Sequence, residues 1–236
     1  MKLYAYCLVE ELDAFDATTR GISGAAVRSL QIDELAVLVS DFDADTVAVT
    51  GQNALDHAAV VRSVLDRTTP LPFRFGTLVS EPQLRSYISA RKPALQTRFA
   101  HVRGCVEMSV KIIREVSEDK AQPPDEITSG TSFLQEKRLA LLGSEQKTTD
   151  AAEISAWLHE QVERLIDDEQ VTVRPSEKLV LAAAHLVKGD KIPQYREKLA
   201  AARKNRPELH FLFSGPWPPY SFANIELEFK TQFGVS

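Results

Sequence analysis

Cysteine is scarce in this sequence, which has only Cys7 and Cys105 among 236 residues. The two lie far apart and neither belongs to a Cys-x-x-Cys pair, which argues against a disulfide framework and a structural zinc site. Such cysteine usage is typical of a reducing compartment. We therefore expect a cytoplasmic protein.

Long apolar runs are also missing. The longest nearly apolar stretch, Leu179 to Val187, contains His185 and is much shorter than the roughly 20 residues of a membrane span. The N-terminal apolar stretch ends at Val9 and is followed by two glutamates, so we interpret it as a strand rather than a signal peptide. The sequence thus predicts no membrane span.

A basic excess is absent as well. The chain has 28 lysines and arginines against 33 acidic residues, a net charge of -5 and a pI near 5.6. Binding to phosphates requires a dense basic surface, so we do not expect a nucleic-acid partner. With 44% hydrophobic and 26% charged residues, the chain is expected to fold, and its length suits two domains.

The first half mixes predicted strands and helices. β-branched and alternating apolar residues predict strands at Leu3–Val9, Glu34–Asp41 and Thr46–Thr50. Asn53 is a candidate N-cap for the following helix, whose apolar positions recur at helical spacing. These positions are Leu55, Ala58, Val61 and Leu65.

A second helix in this half has a clearer start. Ser80 and Gln83 form a capping box, and Leu84, Tyr87 and Ile88 provide the buried stripe. Pro93 is expected to kink or end this helix, since proline lacks the N–H that the helical hydrogen-bond ladder needs.

The second half predicts the element order β-α-β-β-α-β. A long strand is predicted from His101 to Glu115, followed by a helical region from about Ser132 to Asp168. We expect strands at Val171–Arg174, Lys178–Lys188 and Leu209–Phe213, with a helix beginning near Pro193. The alanines at 182–184 favour helix, but the flanking valines and leucines favour a buried strand, which we choose. This order is typical of a ferredoxin-like sandwich.

We therefore predict an α+β protein with two domains and a tail. Residues 1–100 form an N-terminal α+β domain, and residues 101–222 form the ferredoxin-like domain. Residues 223–236 alternate apolar and charged side chains and are expected to dock on a sheet edge. The polar segment Ser117–Ser129, with two adjacent prolines, predicts a surface loop.

Signatures of catalysis are missing from the sequence. The five histidines are scattered, and His159 with Glu163 is best interpreted as an i,i+4 pair on a solvated helix face. Gly21 to Gly24 lacks the spacing of a phosphate loop and predicts a turn. We find no G-x-S-x-G or Cys/His signature. These observations predict no enzyme activity, no metal site and no cofactor.

Two segments are unusual enough to be candidate sites. In Pro70–Thr77, Arg74 stands between Phe73 and Phe75, which suits either a core strand or an arginine that binds a carboxylate in a cleft. In Ser214–Phe222, three prolines fix an extended backbone that presents Trp217, Tyr220 and Phe222. These aromatics either anchor a partner or cap the protein's own core.

The same segments resemble the gas vesicle protein F/L family. The resemblance rests on Leu3-Tyr4-Ala5-Tyr6, on Pro72-Phe73-Arg74-Phe75-Gly76-Thr77, and on Gly215-Pro216-Trp217-Pro218-Pro219-Tyr220-Ser221-Phe222. Gly130-Thr131-Ser132-Phe133-Leu134 also resembles a helix start of that family. The matches occur in order and span nearly the whole chain.

The resemblance implies a non-enzymatic assembly or minor structural protein with a ferredoxin-like C-terminal domain. It also implies a partner, the small and very hydrophobic major shell protein of gas vesicles, and a location at gas vesicles in the cytoplasm. The partner-binding candidates are Trp217, Tyr220, Phe222, Arg74 and Phe75. The alternative hypothesis is a ligand-binding regulatory or enzymatic ferredoxin-like protein with Arg74 at its site.

Overall fold

The structure, a computed structural model, describes residues 2–10, 18–114, 150–173, 179–223 and 225. These residues form two compact units. The first holds residues up to 107 and those from 216 onward, and the second spans 108–215. The predicted loop at Ser117–Ser129, the first part of the predicted long helix and nearly all of the tail lie outside the described residues.

The first unit is built on a five-stranded sheet. Its strands are β1 (Lys2–Val9), β2 (Arg28–Ile32), β3 (Leu35–Phe42), β4 (Leu71–Pro72) and β5 (Leu78–Val79). Their order is β2-β3-β1-β4, with β5 also paired to β1, and every pairing is antiparallel. Strand β1 is central and buries seven consecutive residues, so its sequence is apolar throughout rather than alternating.

Two of the three strands predicted here are confirmed, namely β1 and β3. The strand predicted at Thr46–Thr50 is wrong, because this segment is an irregular lead into a helix, with Val49 69% exposed. Strand β2 was not predicted. It buries only Leu30 and Ile32, and such a short edge strand has a weak alternation pattern.

Helix α1 (Gly51–Ser63) begins three residues earlier than predicted. Its N-cap is Thr50 rather than Asn53, and the Thr50 hydroxyl accepts the Asn53 N–H at 3.1 Å. The buried face of α1 consists of His57, Val60 and Val61. The predicted core residue Leu55 is therefore 65% exposed.

The predicted capping box of helix α2 (Glu81–Val102) is confirmed by reciprocal bonds between Ser80 and Gln83. The helix does not end at Pro93 but continues to Val102. Leu95, Phe99 and Val102 are buried beyond the proline, and their packing offsets the missing N–H. Consequently the strand predicted from His101 begins only at Cys105, after a turn in which Gly104 has a φ of 71°.

The described residues of the second unit form a four-stranded sheet and two α-helices. Its elements are β6 (Cys105–Arg114), α3 (150–162), β7 (Asp168–Thr172), β8 (Leu179–Lys188), α4 (Ile192–Asn205) and β9 (Leu209–Trp217). The described elements thus follow the predicted order β-α-β-β-α-β, and the sheet order is β7-β8-β6-β9. The α+β class is confirmed.

Within this unit the ambiguous segment is a strand, as predicted, and β8 pairs antiparallel with β7. Strand β9 runs four residues further than predicted, to Trp217. Leu158, Val162 and Leu199 are among the buried core residues, so α3 and α4 each bury an apolar face. In the described part of the chain, no helix combines the length and hydropathy needed to cross a membrane.

The chain passes from the first unit to the second within β6 and returns within β9. Residues 216–223 therefore group with the first unit, although the boundaries predicted from the sequence assign 216–222 to the second domain and 223 to the tail. Whether residues 101–222 fold independently stays a prediction.

Candidate partner-binding site

The proline-rich segment ends in a short helix that is pinned by backbone hydrogen bonds. Trp217 is the last residue of β9, and Pro218 and Pro219 are buried. Helix α5 (Tyr220–Ala223) follows, and its first N–H, of Tyr220, donates to the Pro218 carbonyl at 2.8 Å. The prolines thus fix the backbone from which the aromatic side chains project.

A buried carboxylate holds this segment in place. Both oxygens of Glu107, which is 8% exposed, accept hydrogen bonds from Ser221, one from the N–H at 2.7 Å and one from the hydroxyl at 2.9 Å. Burial raises the pKa of Glu107, and the two bonds from Ser221 oppose that shift because they stabilise the charged form. Arg98 adds a bond to the Ala223 carbonyl at 3.3 Å.

Phe222 does not fit the expectation of an exposed anchor. Its side chain is only 5% exposed, so its contacts are with the protein's own interior. Tyr220 and Phe222 are two residues apart on α5, so their side chains point in different directions. This difference explains why Phe222 is buried. Phe222 therefore anchors the segment to the protein's own core, and its role in partner binding stays a prediction.

Helix α1 lies beside the two other aromatics. The guanidinium of Arg62 stands 5.4 Å from the centre of the Trp217 ring, a cation–π distance. The His57 ring centre lies 6.3 Å from that of Tyr220. Trp217 is half-buried and Tyr220 is 38% exposed. The two rings thus rest on α1 with part of their surface open.

The second candidate segment meets the first at His57. The Phe75 ring centre lies 6.0 Å from that of His57, and Phe75 is half-buried. Phe73 is buried in the core, as expected. Arg74 is exposed at the tip of a turn, where its carbonyl accepts the Thr77 N–H at 3.2 Å. The structure thus places Phe75 and Tyr220 each beside the His57 ring and leaves Arg74 exposed on the turn.

His57 was not singled out from the sequence, because an isolated histidine in a helix gives no signal of its own. It is 3% exposed, and its Nδ1 lies 2.9 Å from the Tyr4 hydroxyl. The Gly76 N–H donates to the same hydroxyl at 3.1 Å. Burial lowers the pKa of His57 to about 4, and a backbone contact with Phe73 opposes the shift. The ring is therefore neutral at pH 7.

The phenol and thiol near this site are unsuited to act as nucleophiles at neutral pH. Burial raises the pKa of Tyr220, with further contributions from Cys7 and Glu107. Burial also raises the pKa of the fully buried Cys7 thiol, which stays protonated. We name the exposed surface formed by Phe75, Trp217 and Tyr220 the aromatic patch.

In the second unit, His159 does not pair with Glu163 as predicted. Its Nδ1 lies 2.8 Å from Glu169 of β7, whose other oxygen lies 2.8 Å from the buried His185. Hydrogen bonds from the two histidines lower the pKa of Glu169, His185 having the larger effect. Across the ranges that the structure describes, no cluster of three or more His, Cys, Asp or Glu side chains is placed to hold a metal ion.

The sequence places the chain in a family. It matches the family described as gas vesicle synthesis protein GvpL/GvpF over residues 2–224, and the chain belongs to that family. This confirms the resemblance found in the N-terminal strand, the Pro72–Thr77 segment and the Gly215–Phe222 segment.

Relatives and solved structures agree with this membership. The chain is 27% identical to gas vesicle protein L2 of Halobacterium salinarum, over 93% of this chain and 90% of the relative. It is 25% identical to gas vesicle protein F1 of the same organism, over 98% and 97% respectively. The crystal structure of GvpF from Anabaena sp. PCC7120 has the same fold, with a TM-score of 0.77 at 20% identity. That match covers 95% of this chain and 99% of the other.

Proposed function

We propose that this chain is a gas vesicle accessory protein that binds the major shell protein while gas vesicles form. It acts either as an assembly factor or as a minor structural component. Family membership supports a role in gas vesicle formation. Shell subunits with large apolar surfaces aggregate unless those surfaces are covered, so a covering partner is needed before assembly.

One observation carries the proposed contact surface: Trp217 and Tyr220 have partly exposed rings on a backbone that is already fixed. A rigid aromatic loses little conformational entropy when it binds, which makes it a good interface anchor. The exposed Leu55 lies two helical turns before Arg62 on the same face of α1 and extends the apolar surface.

The same proposal includes a cytoplasmic location at gas vesicles, with no catalytic role and no cofactor. The alternative of a ligand-binding or enzymatic protein depends on Arg74 in a concave site. Arg74 is exposed on a turn, and no observation at this turn favours that alternative.

The test combines affinity capture with thermal unfolding. Tagged wild-type chain and its Trp217→Ala and Tyr220→Ala variants are used to capture protein from gas-vesicle-forming cells, and the captured material is probed for the major shell protein. We expect wild type to capture the shell protein and each variant to capture at least about fivefold less, with each melting temperature nearly unchanged.

Tyr87→Ala is the matched control, because Tyr87 lies under Arg91 at 5.1 Å, as Trp217 lies under Arg62, but belongs to α2. It should capture like wild type. Failure of wild type to capture the shell protein would contradict the proposed function. Normal capture by a Trp217→Ala protein that melts at a much lower temperature would show that the aromatic patch is structural, since large core truncations cost roughly 3 kcal/mol or more.

A further inference from the structure

The second unit has a groove that the gas vesicle assignment does not explain. It runs between α4 and the strands β6 and β9 and has a cavity volume of about 770 Å³. The α4 wall extends from Tyr195 to Lys204, which corresponds to about 13 Å along the helix axis. The groove is therefore long enough to contact about two turns of a helix.

The floor of this groove is apolar. Met108, Tyr195 and Leu199 are buried at its base, and Phe213 of β9 is 38% exposed. Phe213 lies on the same strand face as the buried Leu209 and Phe211, so the core face of the sheet continues into the groove. An apolar ligand surface placed here would complete the packing of this face.

Cations line the groove without acids. Arg196, Arg203 and Lys204 are exposed side chains among its lining residues, and no carboxylate is found among the described ones. This local charge is opposite to the net charge of -5 of the whole chain. Arg196 and Arg203 are seven residues apart on one face of α4, about 10 Å along its axis. Arg196 is also positioned by a bond to the Gly215 carbonyl at 3.2 Å.

We propose that this groove binds an amphipathic helix with acidic side chains, supplied by a partner protein. Such a helix places apolar residues on the floor and two carboxylates about two turns apart against Arg196 and Arg203. The positive rim selects acidic helices and accelerates their encounter. This site lies in the second unit and does not depend on the aromatic patch or on the identity of the shell protein.

The test uses a fluorescent model helix of about 15 residues, with leucines at i, i+3, i+4 and i+7 and glutamates seven positions apart. We expect saturable binding by fluorescence anisotropy that weakens as salt increases. A peptide with lysines in place of the glutamates should bind at least tenfold more weakly. Equal binding of the two peptides would overturn the proposal.

Two pairs of variants locate the binding. The double substitution Arg203→Glu and Lys204→Glu should weaken binding about tenfold, whereas Lys198→Glu, an exposed α4 residue outside the lining, should not. Ala200→Trp should fill the groove and abolish binding, whereas Ala201→Trp on the exposed part of α4 should not. Melting curves for all four proteins verify folding. Unchanged peptide binding by Ala200→Trp would overturn the proposal. Laurate, a fatty acid, is tested as a second ligand, and binding of laurate without binding of the peptide would also overturn the proposal.

Discussion

His57 illustrates how a buried polar residue can support the candidate site without belonging to its surface. It joins Tyr4 of the central strand to the rings of Phe75 and Tyr220. Its neutral form is required in this apolar setting, because a charged imidazole here would lose its hydration. Titrating groups that face it are Tyr4, Tyr6 and Tyr220, and each has a raised pKa, so none is charged near neutral pH.

We predict that the protein loses stability as pH falls from about 6.5 toward 4. The pKa of His57 is about 4 in the fold against an ordinary value of 6.5, so the unfolded chain binds a proton in this window and the folded chain does not. His57 therefore contributes its full stabilisation above pH 6.5 and loses roughly 3 kcal/mol of it by pH 4. Urea unfolding at several pH values measures this slope.

His57→Gln is the control for this titration. The variant is expected to be less stable at pH 7, but its stability should change less between pH 6.5 and 4 than that of wild type. The raised pKa of Glu107 favours proton uptake by the folded chain, so this group opposes the loss of stability at low pH. The lowered pKa of Glu169 acts in the same direction as His57. Both carboxylates are present in both proteins, so the difference in slope isolates His57. Identical slopes would contradict its buried neutral state.

Elements with a strong local signal could be predicted from the sequence. The capping box at Ser80 begins α2 where expected, and the apolar stripes of α3 and α4 correspond to their buried faces. The Gly215–Phe222 segment could be selected as a site because its proline and aromatic spacing is so unusual. Helix α2 does not end at Pro93, because tertiary packing beyond the proline outweighs local preference, and β2 was missed because its pattern is short.

The candidate site could be predicted only in part, because the direction of each side chain depends on tertiary packing. Sequence spacing indicated which segments are unusual, but it contains no information on which face each side chain takes. Phe222 is buried and Tyr220 is exposed although they are two residues apart. His57 and Arg62, which support the aromatic patch, are distant in sequence from it and belong to a helix whose apolar spacing did not indicate them.

Pro93 is a proline in the interior of helix α2. Helix α2 continues through this exposed residue, where proline removes a hydrogen bond to the preceding turn. Replacing Pro93 with Ala restores the donor and should raise the free energy of unfolding by about 1–3 kcal/mol, measured by urea denaturation. Pro82→Ala is the matched control. Pro82 lies in the first turn of the same helix, where proline is tolerated, so little change is expected. Equal changes in the free energy of unfolding for Pro93→Ala and Pro82→Ala would show that Pro93 does not destabilise α2.

The whole molecule raises the question of whether the predicted second domain is autonomous. A fragment of residues 101–222 retains both β6 and β9 intact, although residues up to 107 and from 216 group with the first unit. We predict that this fragment unfolds in one cooperative thermal transition, because the complete four-stranded sheet with its two helices provides its own core. A broad, non-cooperative transition would mean that the two units depend on one another for folding.

Direct binding of the major shell protein can be tested with two purified proteins. Shell protein diluted from denaturant is followed by light scattering with and without an equimolar amount of this chain, and the mixture is then fractionated by size. We predict suppressed scattering and a soluble complex that contains both proteins, with both effects reduced by Trp217→Ala but not by Tyr87→Ala. Unchanged scattering, with the two proteins eluting separately, would contradict the account.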